Sequence, residues 1–268
     1  MSIELISKAG SSDQPELHQL WETVFCDPPE IVESFFERFP PEISGWVLRR
    51  GDKICSAGYL IPGNWYICGA ELRPVAYVYA VATAPAERAK GYAGKLMQSM
   101  AAYARERGLI LYTRPAENSL FPWYSKTMGA DHIGYFQETL HADSSEICNS
   151  KIRRLTPDEY GSMREKLLAD QPHICMSENY LRLQESYSNG FYAVGDSCCC
   201  VVKENDILHL TELLSRETDR SHIVQALLSH FDLKKAKIRT VGERSDKPGI
   251  AYTGSSLPQN TNWGLLLE

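Results

Sequence analysis

The stretch Arg88-Ala89-Lys90-Gly91-Tyr92-Ala93-Gly94 carries the densest chemical information in this 268-residue chain. Two cations and four small residues sit where an apolar periodicity begins. Ala93, Leu96, Met97, Met100, Ala101 and Ala104 fall at i, i+3, i+4, i+7, i+8 and i+11, the single stripe of an amphipathic helix. Lys95, Gln98, Arg105 and Glu106 lie off that stripe, and Gly108 is placed to stop the helix. The first turn of a helix offers backbone N–H groups without intrahelical partners, and the dipole adds partial positive charge there. Small side chains at Gly91, Ala93 and Gly94 let an anion approach the main chain, while Arg88 and Lys90 add charge. The chemistry this suits is a pyrophosphate cradle. No Gly-Lys-Ser/Thr follows, so it is not a P-loop, and without a third glycine it is not a dinucleotide fingerprint.

A strand must feed this turn. Tyr77-Val78-Tyr79-Ala80-Val81-Ala82-Thr83 is β-branched and aromatic without a breaker, and Pro85 ends it. Downstream, Leu109–Thr113 is another apolar strand, followed by Asn118-Ser119-Leu120-Phe121-Pro122-Trp123-Tyr124-Ser125-Lys126-Thr127-Met128-Gly129-Ala130.

This succession resembles the GNAT acetyltransferase superfamily. The carriers are Val81-x-Thr83-x-Pro85, then Arg88-x-x-Gly91-x-Ala93 leading into a helix, then Asn118 and the Trp123-Tyr124 pair before Gly129. The resemblance implies a GNAT fold, α/β (α+β) with a mixed, mostly antiparallel sheet flanked by helices. It implies acetyl-CoA as co-substrate, its pyrophosphate on the main-chain amides of Arg88, Ala89, Lys90, Gly91, Tyr92, Ala93 and Gly94. Its pantetheine and thioester would lie along Val81, Ala82 and Thr83, with Asn118 near the pantetheine arm. Tyr124 would be the general acid that protonates the departing CoA thiolate. A phenol with pKa near 10 suits that task, being protonated at pH 7 and close in acidity to the thiol. The departures from the family pattern are Ala130, where an aromatic is usual, and Pro122 inside the second helix.

Composition narrows the setting. A net charge of -6 and a pI of about 5.7 argue against nucleic acid as a main partner and suit an amine-bearing substrate. The first residues show no basic and apolar leader, and no apolar run reaches the length of a membrane span. Eight cysteines without paired spacing suggest free thiols in a reducing cytoplasm. Alternation in a strand would place Cys198 and Cys200 on one face and Cys199 on the other, which reads as buried small hydrophobes rather than a metal site. No metal is expected, no membrane partner, and homodimerisation is left open.

In chain order, Ile3–Ala9 reads as a strand and Gln14–Phe25 as a helix with Asp13 as N-cap. Ile31–Phe39 is a second helix. In the family such a pair walls the acceptor site, which makes Glu22, Glu30, Glu33 and Glu37 candidates for contact with an amine. Trp46–Arg50, the turn Gly51-Asp52 and Lys53–Ile61 form a hairpin. Pro62-Gly63-Asn64 is expected to turn the chain, with Trp65–Cys68 returning. His132–Leu140 is expected to complete the domain as a strand pair. From Lys151 the pattern restarts: strand Ile152–Leu155, a capping box at Thr156-Pro157-Asp158-Glu159, helices to Leu168 and over Glu178–Tyr187. Phe191–Val194, Gly195-Asp196 and Ser197–Lys203 repeat the hairpin. Ile207–Leu214 is the counterpart of the cofactor strand, Asp219–Phe231 of the main helix, and Ala236–Val241 with Asn262–Leu267 supply closing strands. The junction Leu214-Ser215-Arg216-Glu217-Thr218-Asp219-Arg220-Ser221 has no glycine, and Glu217 and Asp219 would repel a pyrophosphate. The expected organisation is a GNAT domain over 1–142 and a degenerate GNAT-like domain over 151–268 without cofactor, joined near Asp143-Ser144-Ser145.

The expected activity is acetyl transfer to a primary amine of a small molecule or peptide, by direct attack in a ternary complex. A backbone N–H near Val81–Thr83 would polarise the thioester carbonyl. The base that deprotonates the ammonium stays open among Glu71, Glu117, His132 and Glu268. A non-catalytic acyl-CoA-binding or regulatory module, and an acyltransferase using a different acyl donor, remain alternatives.

Overall fold

The structure is a computed structural model and describes residues 3–142 and 150–267. The expected linker at Asp143-Ser144-Ser145 and the candidate base Glu268 lie outside the described residues.

In chain order the elements are β1 (Glu4–Lys8), α1 (Gln14–Phe25), α2 (Pro29–Arg38), α3 (Pro41–Ser44), β2 (Gly45–Arg50), β3 (Lys53–Cys68), β4 (Glu71–Thr83), α4 (Tyr92–Glu106), β5 (Ile110–Thr113) and α5 (Phe121–Met128). Then follow β6 (His132–Ala142), β7 (Ile152–Leu155), α6 (Pro157–Leu168), β8 (His173–Cys175), α7 (Glu178–Ser186), β9 (Gly190–Val194), β10 (Ser197–Glu204), β11 (Ile207–Leu214), α8 (Ser221–Phe231), β12 (Lys235–Val241) and β13 (Lys247–Tyr252). Among the described residues no helix is long and apolar enough to cross a membrane.

The chain divides into two compact units, one of Met1–Tyr66, Leu72–Ile133 and Gly249–Ser256, the other of Ile67–Glu71, Gly134–Pro248 and Leu257–Glu268. In the first, the strand order is β1-β2-β3-β4-β5-β13. The β1–β2, β2–β3 and β5–β13 pairs are antiparallel and β4–β5 is parallel. In the second, the order is β7-β9-β10-β11-β12-β6, antiparallel except for the parallel pair β11–β12. The two sheets therefore repeat one topology. Each ends on a strand drawn from the other half of the sequence: β13 closes the first and β6 the second.

Each core follows from the apolar stripe of its main helix. In the first unit Leu96, Met97, Met100, Ala101 and Ala104 of α4 pack on Leu48, Ala76, Val78 and Leu111, each long apolar side chain worth about 1.5–3 kcal/mol when buried. The stripe begins at Tyr92, which is buried, rather than at Ala93, which is half-buried. Gly108, in the left-handed region at φ 64°, ends α4 as the pattern requires. In the second unit Ile223, Val224, Leu227 and Leu228 of α8 pack on Val201, Leu208, Leu210 and Ile238.

The structure corrects several expectations. Pro62-Gly63-Asn64 is no chain reversal. β3 runs through it, with Gly63 taking the left-handed conformation at φ 87° and Asn64 turned inward to donate from Nδ2 to the Tyr112 hydroxyl at 3.2 Å. His132–Leu140 is not a strand pair but one strand, β6, which runs antiparallel to β12 in the second unit. Asn262–Leu267 forms no strand beyond an isolated bridge at Asn262; β6 closes the second sheet instead, and Lys247–Tyr252, not expected as a strand, pairs with β5 in the first. Asp13 precedes α1, but its carboxylate accepts from the Gly10 N–H at 2.8 Å and pairs with Arg49 rather than capping that helix.

Candidate functional site

β4 pairs with β5 only at Val75↔Ile110, Ala76↔Leu111 and Tyr77↔Tyr112. β4 continues to Thr83 while β5 stops at Thr113, so the two strands part. The Thr113 hydroxyl sits at the fork and donates to the Val78 carbonyl at 2.9 Å. Beyond it the β5-facing edge of β4 carries no strand ladder among the described residues. Unpaired strand edge is a row of amide donors and carbonyl acceptors open to an extended ligand.

A bulge re-aims that edge. Ala80 has φ 47°, a left-handed conformation that costs a non-glycine residue about 1–2 kcal/mol. Strict alternation would put Val78, Ala80 and Ala82 on one face. Val78 and Val81 both pack on the α4 core instead, the signature of one extra residue in the strand. The end of β4 is pinned on its other side, where the Ser56 hydroxyl donates to the Ala82 carbonyl at 2.7 Å and the Ala84 N–H to the Cys55 carbonyl at 3.0 Å. Val81, Ala82 and Thr83 thus occupy the open stretch of the strand.

The turn into α4 is a chain of concave backbone. Pro85–Glu87 makes one 3-10 turn, Arg88 is extended, and Ala89 and Gly91 take φ 62° and 80°. Neighbouring left-handed residues turn successive N–H groups toward one point, an anion nest. No side chain caps α4, and its ladder opens with Lys95 N–H donating to the Gly91 carbonyl at 3.1 Å. The first-turn amides of Tyr92, Ala93 and Gly94 are left over. Arg88, Ala89, Lys90 and Gly91 are all exposed. A Cβ at Gly91 would meet no atom within 4 Å, so its α-carbon faces open space. Tyr92 turns its ring into the core, and Gly94 faces Thr127 of α5 at 3.5 Å from where a Cβ would stand.

The two cations differ. Lys90 donates to Glu87 at 2.8 Å and to the Ala86 carbonyl at 3.1 Å. Glu87 also faces Lys53 at 3.8 Å and Arg50 at 4.0 Å, and its hydrogen bond with Lys90 holds its carboxyl below the usual range. Among the described residues Arg88 makes one long contact, from Nε to the Thr83 carbonyl at 3.4 Å, so it is the less engaged of the two charges.

Tyr124 is buried in α5, its ring edge-on to Trp123 at 4.8 Å. Its hydroxyl bonds to Thr113, the residue at the β4/β5 fork. Burial pushes the phenol pKa above its ordinary value, against the smaller opposing effect of Thr113. Pro122 occupies the first turn of α5, where a missing N–H costs nothing, and Gly129 at φ 74° ends the helix. Asn118 opens the 3-10 turn before α5 and is exposed. The structure therefore brings Val78, Thr113 and Tyr124 together at the fork.

The remaining candidates are scattered. Glu71 starts β4, at the opposite end of the strand from Thr83. Glu117 is exposed beside Asn118. His132 engages the Gly254 carbonyl through Nε2 at 2.9 Å and stacks on Tyr252 at 5.1 Å. Glu22, Glu30, Glu33 and Glu37 are all exposed. The inner faces of α1 and α2 are aromatic: Trp21 lies 4.8 Å from Phe35, 5.4 Å from Tyr59 and 5.6 Å from Tyr79 of β4. Sequence reasoning missed Thr113 and Ala80. A hydroxyl ending the run Leu-Ile-Leu-Tyr-Thr was a visible signal for the first, whereas alanine gives none for a bulge.

Residues 6–126 match the model of the acetyltransferase (GNAT) domain. No curated protein sequence matches the chain. Among solved structures, the chain is similar to a GCN5-related N-acetyltransferase from Anabaena variabilis (14% identity, 93% of this chain and 72% of that one, TM-score 0.71). A putative acetyltransferase from Pyrococcus horikoshii follows at 13% identity, with 98% and 94% covered and a TM-score of 0.64. A tandem GNAT protein from the clavulanic acid biosynthesis pathway shares 14% identity over 95% of this chain and all of that one, TM-score 0.54. At these identities the likeness is one of fold.

Proposed function

We propose that this chain, a GNAT superfamily member with its acetyltransferase domain in the first half, moves an acetyl group from acetyl-CoA to a primary amine of a small molecule or peptide. The observation that carries the reading is the uncapped N-terminus of α4, with its nest of left-handed residues, at the end of a strand edge that β5 abandons. The main-chain amides of Arg88 to Gly94 would hold the pyrophosphate, with Arg88 as its principal side-chain charge. Val81, Ala82 and Thr83 would pair with the pantetheine arm, with Asn118 beside it. Acetyl-CoA supplies an acyl carbonyl activated by its thiolate leaving group. A backbone N–H of the open β4 edge polarises that carbonyl as charge develops on its oxygen. Tyr124 stays protonated at neutral pH and delivers its proton to sulfur. The amine attacks directly, in a ternary complex, after losing a proton to a base that no residue here is assigned to. Free thiols fit a cytoplasmic setting. The domain organisation that goes with this reading is a catalytic domain over 1–142 and a degenerate copy over 151–268.

One observation favours the second reading, a non-catalytic acyl-CoA-binding module: the Tyr124 hydroxyl already has a partner in Thr113. Calorimetric titration with acetyl-CoA, then amine-dependent thiol release, separates the readings. The catalytic reading expects micromolar binding abolished by Gly91→Glu, and turnover that drops 10²–10⁴-fold in Tyr124→Phe with binding retained. Binding with no turnover for any amine would leave the sensor. Binding of longer acyl-CoAs alone would move the donor and keep the cradle.

A further inference from the structure

We infer that the first unit holds a second binding site, apart from the proposed acyl-CoA cleft, for a small aromatic carboxylate, its ring in an apolar cavity at the C-terminal end of α4 and its carboxylate on Lys8 and Tyr103. The sequence marks the place with Pro62-Gly63-Asn64, which no part of the proposed chemistry uses. β2 begins at Gly45, opposite Tyr59 of β3, and β3 runs on to Cys68. Past the end of β2, Pro62 and the left-handed Gly63 carry β3 onward, and Trp65 stays exposed.

A cavity of about 140 Å³ lies there, walled by Leu60 and Trp65, by Trp46 at the start of β2, by Ile43 of α3 and by Leu109 beyond α4. Its lining residues all belong to the first unit. Tyr103 places it at the far end of α4 from the Gly91 nest, and Pro74 sets it away from the Thr83 end of β4. An apolar cavity of about 150 Å³ takes one benzene ring, so this volume sets the ligand's apolar part at a single ring. Trp46 and Tyr103 already meet edge to face at 5.1 Å, and aromatic walls of this kind suit an aromatic guest. Ile43 and Trp65, 56% and 41% exposed, are large apolar side chains that such a guest would cover.

The polar end is set by Lys8, the charged residue among those lining the cavity. Its ammonium donates to the Tyr103 hydroxyl at 3.0 Å and stands 4.7 Å from the centre of that ring. Among the described residues no carboxylate pairs with it. Glu4 is taken by Lys95 and Glu106 by Arg107 at 3.6 Å, and Glu42, beside Ile43, does not line the cavity. Asn64, also on the wall, donates to Tyr112. An ammonium carries three N–H donors, of which Tyr103 takes one, and the Tyr103 proton has no acceptor among the described residues. Two donor groups 3.0 Å apart can each take one oxygen of a carboxylate, and the charge on Lys8 makes this the stronger kind of hydrogen bond. A cationic ring would meet repulsion from the same ammonium.

The test titrates the full-length chain calorimetrically with phenylacetate, phenylacetamide and acetate at low ionic strength. Phenylacetate is expected to bind with a Kd at or below about 1 mM. Phenylacetamide, with the ring but no charge, and acetate, with the charge but no ring, should bind at least about tenfold more weakly. Lys8→Gln and Tyr103→Phe should each weaken phenylacetate by about fivefold or more. In the wild type the Trp65 indole N–H resonance, identified by its loss in Trp65→Phe, should shift on titration, a readout that needs neither the Lys8 nor the Tyr103 variant. Gly91→Glu should leave phenylacetate binding unchanged and Lys8→Gln should leave acetyl-CoA binding unchanged, so a failure of this site is told apart from a failure of the acetyl-CoA reading. The inference is overturned if phenylacetate does not bind, if phenylacetamide or acetate binds as tightly, if Lys8→Gln changes nothing, if Gly91→Glu abolishes the binding, or if Trp65 stays unmoved at saturation.

Discussion

At the scale of single residues, Thr113 is the hinge of the proposed chemistry. Its hydroxyl donates to the Val78 carbonyl, and its interaction with the Tyr124 hydroxyl works against the larger, burial-driven rise in the phenol pKa. Tyr124 is thereby held at the β4/β5 fork. Thr113→Val keeps the shape and removes both bonds. It should leave acetyl-CoA affinity within about twofold, lower kcat by roughly tenfold through loss of orientation, and cost about 1–3 kcal/mol because the buried Val78 carbonyl loses its donor. Denaturant unfolding and single-turnover thiol release check the two parts. The pH dependence follows from the sign of the Tyr124 shift. Burial raises its folded-state pKa above the ordinary 10, so the acid is fully protonated below pH 10 and is lost only as pH rises through the shifted value. Its contribution to stability runs the same way. An alkaline limb in kcat assigned to Tyr124 must therefore lie above 10, and a limb near 8 would point to another group.

Among the elements, β4 with its bulge and α4 with its nest set the site between them. The stripe of α4 was legible because Leu96, Met97, Met100, Ala101 and Ala104 obey helical spacing and one buried face decides the matter. Gly91 and Gly108 were legible because positive φ selects glycine. The bulge was not, since Ala80 adopts φ 47° against its own preference and nothing in Tyr-Val-Tyr-Ala-Val announces it. A local conformation imposed by tertiary structure leaves no mark on local sequence. The acidic residues of α1 and α2 misled for a related reason: Glu22, Glu30, Glu33 and Glu37 are visible in sequence, but the helices turn Trp21, Phe35 and Phe36 inward. Ala80 offers a direct probe. Replacing it with glycine removes the left-handed penalty and should stabilise the protein by up to about 1 kcal/mol, less the greater backbone entropy of glycine in the unfolded chain. If the bulge exists to aim β4 amides at the thioester, Ala80→Gly should keep acetyl-CoA affinity while Ala80→Val, β-branched and intolerant of this φ, loses both stability and turnover. Equal melting temperatures for wild type and Ala80→Val would remove the bulge from the account.

Over the whole molecule, the tandem repeat was legible in chain order and the exchange of closing strands was not. Strand Ile207–Leu214, the Gly195-Asp196 turn and the Thr156 capping box all stand where the pattern placed them, because each depends on residues within a few positions. Which strand pairs beside β5 depends instead on residues more than a hundred positions away, and periodicity along one strand says nothing of its neighbour. β5 is four residues long and wholly buried, and β13 supplies its outer ladder. The Leu111 N–H donates to the Thr253 hydroxyl at 2.9 Å and the Thr253 N–H to the Leu111 carbonyl at 2.9 Å, with Ile250, Ala251 and Tyr252 buried alongside. Removing that strand exposes a hydrophobic edge and forfeits burial on the order of 5 kcal/mol, comparable to the low end of a domain's net stability. Residues 1–142 expressed alone should therefore aggregate or melt without cooperativity. The same segment ending at 133 and joined through a Gly/Ser linker of about ten residues to 247–256 should regain a cooperative transition and, on the proposed function, acetyl-CoA binding. Should 1–142 alone fold cooperatively and stay soluble, β13 would be an accessory to the first sheet rather than one of its strands.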